Sequence, residues 1–120
     1  MTFDDVTRLT AHLPEVDVAT SYGTPALKVH GRSFCRMWGA SEHRRDSIDD
    51  TEVLVVFCDL AWKESLIESS GGVLFTTSHY DGFGAVLVRL ADVTSADLAA
   101  YLIEGYRHRA PASLRKLLDA

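Results

Sequence analysis

The chain has 120 residues, of which 47% are hydrophobic, and its formal net charge is −5 at pH 7. The length and hydrophobic content fit one domain over residues 1–120, and the acidic balance argues against a protein that coats nucleic acid indiscriminately. No run approaches the roughly 18 apolar residues of a membrane span, and the first residues include Asp4 and Asp5 where a signal peptide is basic. We therefore expect a cytoplasmic protein with no membrane partner.

The amino-terminal segment predicts a helix followed by a loop. Thr2 and Asp5 have the spacing of a capping pair, and apolar residues then recur at helical spacing as far as Leu13. Residues 15–25 show no sustained period and include turn-forming residues after Tyr22. They predict a connecting loop that precedes the sheet.

Residues 26–38 predict a β-hairpin that uses Gly31 at its turn for its backbone freedom. In the second arm, Arg36 alternates with Phe34 and Trp38. The pattern predicts a half-exposed face that combines a guanidinium group with two aromatic rings.

The middle of the chain predicts a loop, a strand and a helix. Residues 39–51 are polar and predict a mobile loop, whereas residues 52–58 are almost continuously apolar and predict a central strand covered on both faces. Asp59 has the position of a helix cap, and the helix after it has Trp62 and Leu66 on its apolar stripe.

Two strands joined by a bend are predicted in residues 73–90, VLFTTSHYDGFGAVLVRL. The bend contains His79, Tyr80 and Asp81, and Asp81 with the glycine after it suits a tight turn. An unbroken apolar run follows the bend. We expect this turn to fix the register of two core strands.

Two helices are predicted at the carboxyl end. Thr94 and Asp97 resemble a capping box for the first, and Pro111 fits the first turn of the second, whose inner face carries Leu114, Leu117 and Leu118. In the predicted order, strands follow one another as hairpins more often than they alternate with helices. The order of elements predicts an α+β domain with a mainly antiparallel sheet of about five strands packed by helices.

Several segments, taken in their order and spacing, resemble the MmcQ/YjbR family of small bacterial proteins. They are the hairpin Lys28-Val29-x-Gly31-Arg32-x-Phe34, the strand–helix segment at 59–68, the bend TTSHYDGFGAVLVRL and the stretch LIEGYRHRAP. The resemblance covers residues 22–118 and implies a frataxin-like (CyaY-like) fold, also called a double wing, together with a DNA-binding label. Many members have a tryptophan at the start of the strand after the bend, where this chain has Gly84-Ala85-Val86.

The DNA-binding hypothesis rests on the distribution of charge. Residues 24–45 carry five basic residues and one acidic residue, whereas residues 46–68 carry seven acidic residues and one basic residue. If the fold brings the hairpin next to the basic carboxyl end, a patch forms that can contact phosphates. The alternative is that these are solvated charges, some of them paired with the acids of residues 46–52. The residues predicted to contact DNA are Lys28, Arg32, Arg36, Arg44 and Arg45.

A second hypothesis places a small-molecule or protein site at the bend. A titratable histidine beside aromatic residues is typical of sites that orient a ligand. The alternative is that the imidazole of His79 holds the turn through a hydrogen bond to a backbone carbonyl. The residues predicted to line this site are Tyr22, Trp38, His79, Tyr80 and Phe83.

Signatures of catalysis and of cofactor binding are absent from the sequence. Ser78 and His79 are neighbours that point to opposite faces of a strand, and the chain has no GxSxG, HExxH, GxGxxG or Walker motif. Cys35 and Cys58 form no CxxC pair and predict buried structural thiols. We therefore expect a non-enzymatic protein without metal or cofactor, present as a monomer or weak dimer.

Overall fold

The computed structural model describes residues 1–119, which form a six-stranded antiparallel sheet and five helices. The predicted α+β class is confirmed. The elements in chain order are α1 (Phe3–Leu9), β1 (Val16–Ser21), β2 (Thr24–Val29), β3 (Arg32–Met37), α2 (Ala40–Asp46), β4 (Val53–Phe57), α3 (Leu60–Ser69), β5 (Leu74–Phe75), β6 (Ala85–Arg89), α4 (Ser95–Arg109) and α5 (Ala112–Leu118).

The strands lie in the order β1-β2-β3-β4-β6-β5, and each neighbouring pair is antiparallel. Two-residue turns join β1 to β2 and β2 to β3. Their residues have positive φ angles, 54° at Tyr22, 76° at Gly23, 52° at His30 and 77° at Gly31. Such turns match the right-handed twist of the strands that they connect, and the expected use of Gly31 at the turn is confirmed.

The sheet has one strand more than the sequence predicts, because the expected loop at residues 15–25 contains β1. This strand lies at the edge of the sheet and pairs with β2 on one side only. Its stability comes from backbone hydrogen bonds and half-buried side chains, so the strand needs no sustained apolar pattern. The loop prediction is therefore wrong for residues 16–21 and also for residues 24 and 25, which begin β2.

The expected loop at residues 39–51 contains α2, which has no buried residue. A helix without an apolar face leaves no hydrophobic period in the sequence. The Glu42 carboxylate accepts a hydrogen bond of 3.2 Å from the Gly39 N–H and so stabilises the start of the helix. The loop prediction is wrong for residues 40–46.

The sequence predicts where helices start more reliably than it predicts which of their residues face the core. The caps at Thr2, Asp59 and Thr94 are confirmed, since each side chain accepts a backbone hydrogen bond in the first turn of its helix. Trp62, by contrast, is 65% exposed, and Leu117 is also exposed. Both residues were wrongly predicted to face the core.

One face of the sheet, here called the first face, is packed by α4 and α3, with α1 packed on α4, and carries most of the hydrophobic core. Leu102 and Tyr106 of α4 are fully buried there. Gly105 permits the close approach of α4, since a Cβ at this position would lie 2.9 Å from Val56 Cγ1 and 3.1 Å from the Phe34 carbonyl oxygen. Dense packing closes this face beneath α4, and a cleft remains between α3 and α4.

The opposite face, here called the second face, carries Arg36, Val55 and Leu87, which lie directly opposite one another in β3, β4 and β6. A smaller apolar cluster on this face includes Trp38 and Phe57. Helix α2 and the bend at residues 76–84 cover part of the second face and leave the rest of it open. No helix within residues 1–119 has the length and hydropathy of a membrane span.

Phe34 does not share the second face with Arg36, contrary to the strict alternation that was predicted. The pairing of β2 with β3 shifts register between Leu27 and Lys28. Such an irregularity adds a residue to one strand and changes which side chains share a face. Phe34 consequently packs in the first core, with its ring 5.7 Å from that of Tyr106.

Candidate binding groove

A groove of about 650 Å³ opens on the second face of the sheet. Its walls come from the β1–β2 turn, α2, the bend and the end of α4, and Val55 and Phe57 lie at its base. Its size lies in the range of roughly 300–1,000 Å³ that is typical of small-molecule sites. The residues lining the groove are Ser21, Tyr22, Ser33, Arg36, Ser41, Glu42, Arg45, Val55, Phe57, His79, Tyr80, Phe83 and Arg109.

A hydrogen-bonded network of three side chains joins the sheet, α2 and the bend. Arg36 donates to both carboxylate oxygens of Glu42, with distances of 2.7 and 2.9 Å, and to the hydroxyl oxygen of Tyr80 at 2.9 Å. The Tyr80 hydroxyl donates in turn to Glu42 Oε2 at 2.9 Å. Each group therefore has a partner although little water reaches the network.

The network fixes the charge state of its carboxylate. Burial alone would raise the pKa of Glu42, but hydrogen bonds from Arg36, the Gly39 N–H and Tyr80 outweigh burial and lower the pKa to about 2. The bond with Glu42 raises the pKa of Arg36, and burial raises the pKa of Tyr80. At neutral pH the network therefore contains a charged pair and a neutral phenol.

Arg36 is not available to contact a DNA phosphate, in contrast to the sequence prediction. The residue is only 8% exposed, and its guanidinium group is bound by Glu42 through two hydrogen bonds. A phosphate would have to displace a buried carboxylate that is already well bonded. Arg36 instead positions Glu42 and Tyr80 in the wall of the groove.

Lys63 of α3 anchors the bend and was missed as a functional residue in the sequence. Its side chain is 6% exposed, and Nζ donates to the carbonyl oxygens of Tyr80 at 2.6 Å and Phe83 at 3.0 Å. Burial lowers the pKa of this amine. The spacing of Lys63 from Leu66 and Ile67, three and four residues on, could have revealed that it faces inward.

Four of the five residues predicted for the ligand site line the groove. They differ in exposure: Tyr22 is 91% exposed, His79 and Phe83 are also exposed, and Tyr80 is buried. His79 packs edge-on against Tyr80 at 5.6 Å. The bend itself is anchored by the Lys63 amine, and the imidazole of His79 lies on the rim of the groove.

Trp38 was predicted to line the same site, and this part of the prediction is wrong. Its ring is 4% exposed and stacks on Tyr80 with a centroid distance of 6.3 Å. It also contacts His43 and Phe75 edge-on, which places it in the apolar cluster beneath the bend. Trp38 supports Tyr80 from below.

Arg109 lies at the end of α4 and lines the groove from the side of the first core. Its Cζ lies 4.1 Å from the centroid of the Phe57 ring, and Arg32 Nη1 approaches its carbonyl oxygen at 3.5 Å. Burial, with a smaller effect of Arg32, lowers the pKa of Arg109. Among residues 1–119, Nε of Arg109 is buried without a hydrogen-bond partner, and no carboxylate forms an ion pair with the guanidinium.

The residues predicted to contact DNA are spread over several surfaces. Arg45 pairs with Asp46 at 3.0 Å, and Lys28 lies opposite Asp17 in the sheet. Arg44 lines a separate cleft with Asp49, Asp50 and Glu52. Arg32 is exposed and lies near Arg109, so the fold does bring the hairpin close to the basic end of α4.

The two cysteines lie in the core and do not line the groove. Cys35 and Cys58 are buried and unpaired, and burial raises the pKa of Cys35 to about 12. In the part of the chain that the structure describes, no cluster of three potential metal ligands is found. The groove offers aromatic faces, hydroxyl groups and guanidinium groups.

Comparison with known proteins gives no functional name. No family model matches the sequence. Over 52 residues the chain is 46% identical to proteins of Mycobacterium tuberculosis and Mycobacterium bovis that are described only as uncharacterized. The matched stretch is 43% of this chain and 40% of each relative, so the chain spans less than half the length of the relatives that it matches.

Proposed function

We propose that the protein is a non-enzymatic binding domain and that its ligand, a small organic molecule with a planar ring, occupies the groove on the second face. The observation that supports this proposal is the convergence of Tyr22, His79, Tyr80 and Phe83, which come from two distant segments of the chain, on one groove. Concave sites with aromatic walls and a few polar groups are typical of ligand binding.

The rigidity of the walls supports the same proposal. The Arg36–Glu42–Tyr80 network ties the sheet to α2 and the bend, and Lys63 ties the bend to α3. A groove whose walls are fixed before binding loses little conformational entropy when a ligand enters. The two exposed rings, Tyr22 and Phe83, then provide the contact surface.

A titration of the isotope-labelled protein with small aromatic fragments, followed by NMR, tests this function. We expect amide shifts at Tyr22, His79 and Phe83, and weaker binding after Phe83→Ala because half-exposed aromatic surface is removed from the groove. Trp62→Ala is the matched control, since it removes an exposed ring outside the groove. Shifts that avoid the groove, or equal effects of the two variants, would contradict the proposal.

DNA binding by a cytoplasmic, MmcQ/YjbR-like protein is the second function that we propose. It is supported by the proximity of Arg32 to Arg109 and, on a separate surface, by the exposure of Arg44. Phosphate contacts predict an affinity that falls steeply with salt. The double change Arg44→Ala, Arg45→Ala should reduce binding to duplex DNA in a mobility-shift assay, and no shift at low salt would exclude this function.

A further inference from the structure

The polar groups of the groove leave one cation without a partner. Three arginines line it, together with one carboxylate. Glu42 neutralises Arg36, and Asp46 neutralises Arg45. Within residues 1–119, Arg109 has neither an ion pair nor a partner for its buried Nε. The groove is therefore positive locally although the chain as a whole carries a net charge of −5.

The environment of Arg109 favours an anion at this position. Arg32 lies close by and adds positive charge, and burial removes water that would otherwise solvate the guanidinium group. A guanidinium that is poorly hydrated and close to a second cation gains more from a carboxylate than an exposed arginine does. The ring of Phe57 beneath it holds the group in place.

Aromatic rings extend from Arg109 across the groove. The Phe57 ring lies 4.1 Å from Arg109 Cζ and 6.1 Å from the Phe83 ring, which lies 6.0 Å from that of Tyr80. His79 continues this row at the rim. A planar ligand with its charged end at Arg109 would thus place its ring beside Phe83.

We propose that the groove binds an aromatic carboxylate, with the carboxylate on the guanidinium of Arg109 and the ring against Phe83. This inference rests on the proposed binding function and specifies its ligand class. Arg109 is the one arginine lining the groove that has no ion pair within residues 1–119, and its single charge matches that of a carboxylate. The chain's overall charge opposes anion binding, so a preference for the anion must come from the groove itself.

The test compares 2-naphthoate with 2-naphthamide, which has the same ring but no charge, by NMR titration of the full chain. We expect naphthoate to bind about tenfold more tightly, as a single charge-assisted contact allows. Arg109→Gln should reduce this preference to about equal affinity for the two compounds, because glutamine carries no charge. Arg107→Gln is the matched control, because Arg107 lies on the same helix but pairs with Asp119 and does not line the groove.

The outcomes separate the ligand class from the site. Equal affinity for the two compounds, or an unchanged preference in Arg109→Gln, would overturn the carboxylate assignment while shifts in the groove still support the binding function. Tighter binding of 2-naphthyl phosphate than of naphthoate would also overturn it. If neither compound shifts groove resonances, the binding function fails as well.

Should Arg109→Gln not fold, the Hε resonance of Arg109 in the unaltered protein must move with naphthoate and not with naphthamide.

Discussion

The two faces of the sheet are built in different ways. On the first face, α4 packs directly on β3 and β4 through apolar side chains and a glycine contact. On the second face, α2 and the bend are held by an ion pair, a tyrosine hydroxyl and a lysine amine, and a groove remains between them. Apolar packing closes a surface, whereas directional polar contacts can hold walls apart. The second face therefore keeps an open groove, and it is there that we propose binding occurs.

The largest expected effect is that of removing the carboxylate from the second face. Glu42→Ala leaves the guanidinium group of Arg36 buried without its partner, which should lower the free energy of unfolding by about 3 kcal/mol. Chemical denaturation measures this loss. The double change Arg36→Leu, Glu42→Leu removes both charges and should recover most of the stability. Equal stability of the single and double variants would show that the ion pair does not hold this face.

A second prediction concerns the first face. Gly105→Ala places a Cβ within 3.2 Å of the Phe57 carbonyl oxygen and closer still to Val56 and Phe34, so α4 must move away from the sheet. We expect a loss of about 2 kcal/mol in the free energy of unfolding, measured by denaturation. Ala99→Gly, on a half-buried position of the same helix, gives the cost of a helix-propensity change alone, about 1 kcal/mol. A neutral Gly105→Ala variant would contradict the close packing.

A smaller effect is expected where α3 anchors the bend. Lys63→Met keeps a similar length but leaves the carbonyl oxygens of Tyr80 and Phe83 without their donor, at a cost of about 1 kcal/mol. Hydrogen exchange should become faster in residues 76–84 and remain unchanged in α4. Lys116→Met, an exposed lysine on α5, is the control. Uniform acceleration across the chain would mean that Lys63 supports the whole fold and not the bend in particular.

The pH dependence of stability should give an effect no larger than that of Lys63→Met. The pKa of Glu42 is lowered from 4.5 to about 2 in the folded state, so its contribution is complete above pH 4.5 and is lost as the pH falls towards 2. Allowing for solvent screening, we expect about 1 kcal/mol over this range. Denaturation of the unaltered protein and of Glu42→Gln at several pH values checks this. Parallel curves for the two proteins would assign the acid dependence to other groups.

The first face could be predicted from the sequence far better than the second. Leu98, Leu102 and Tyr106 repeat at helical spacing, and residues 53–57 form an apolar run, so local patterns specify both elements and their burial. The caps at Thr2 and Asp59 are equally local. Patterns of this kind arise because apolar burial imposes a period on the chain.

The groove could be predicted only in part, since its polar contacts join residues that no local pattern connects. The bend and its aromatic residues are visible in the sequence, but the pairing of Arg36 with Glu42 requires that α2 lie over β3. Gly39 and Glu42 have the spacing of a capping box, which could have indicated α2. The half-buried cation at Arg109 depends on the end of α4 reaching Phe57, and nothing in the local sequence signals that contact.

The most direct test of the difference between the faces is a map of amide shifts with 2-naphthoate on the isotope-labelled protein. The expected result is a set of shifts confined to the groove, at Tyr22, His79, Phe83 and Arg109, with α1 and the buried face of α4 unchanged. Shifts centred on Trp62 in the cleft between α3 and α4, or no saturable shifts at all, would contradict the assignment of binding to the second face.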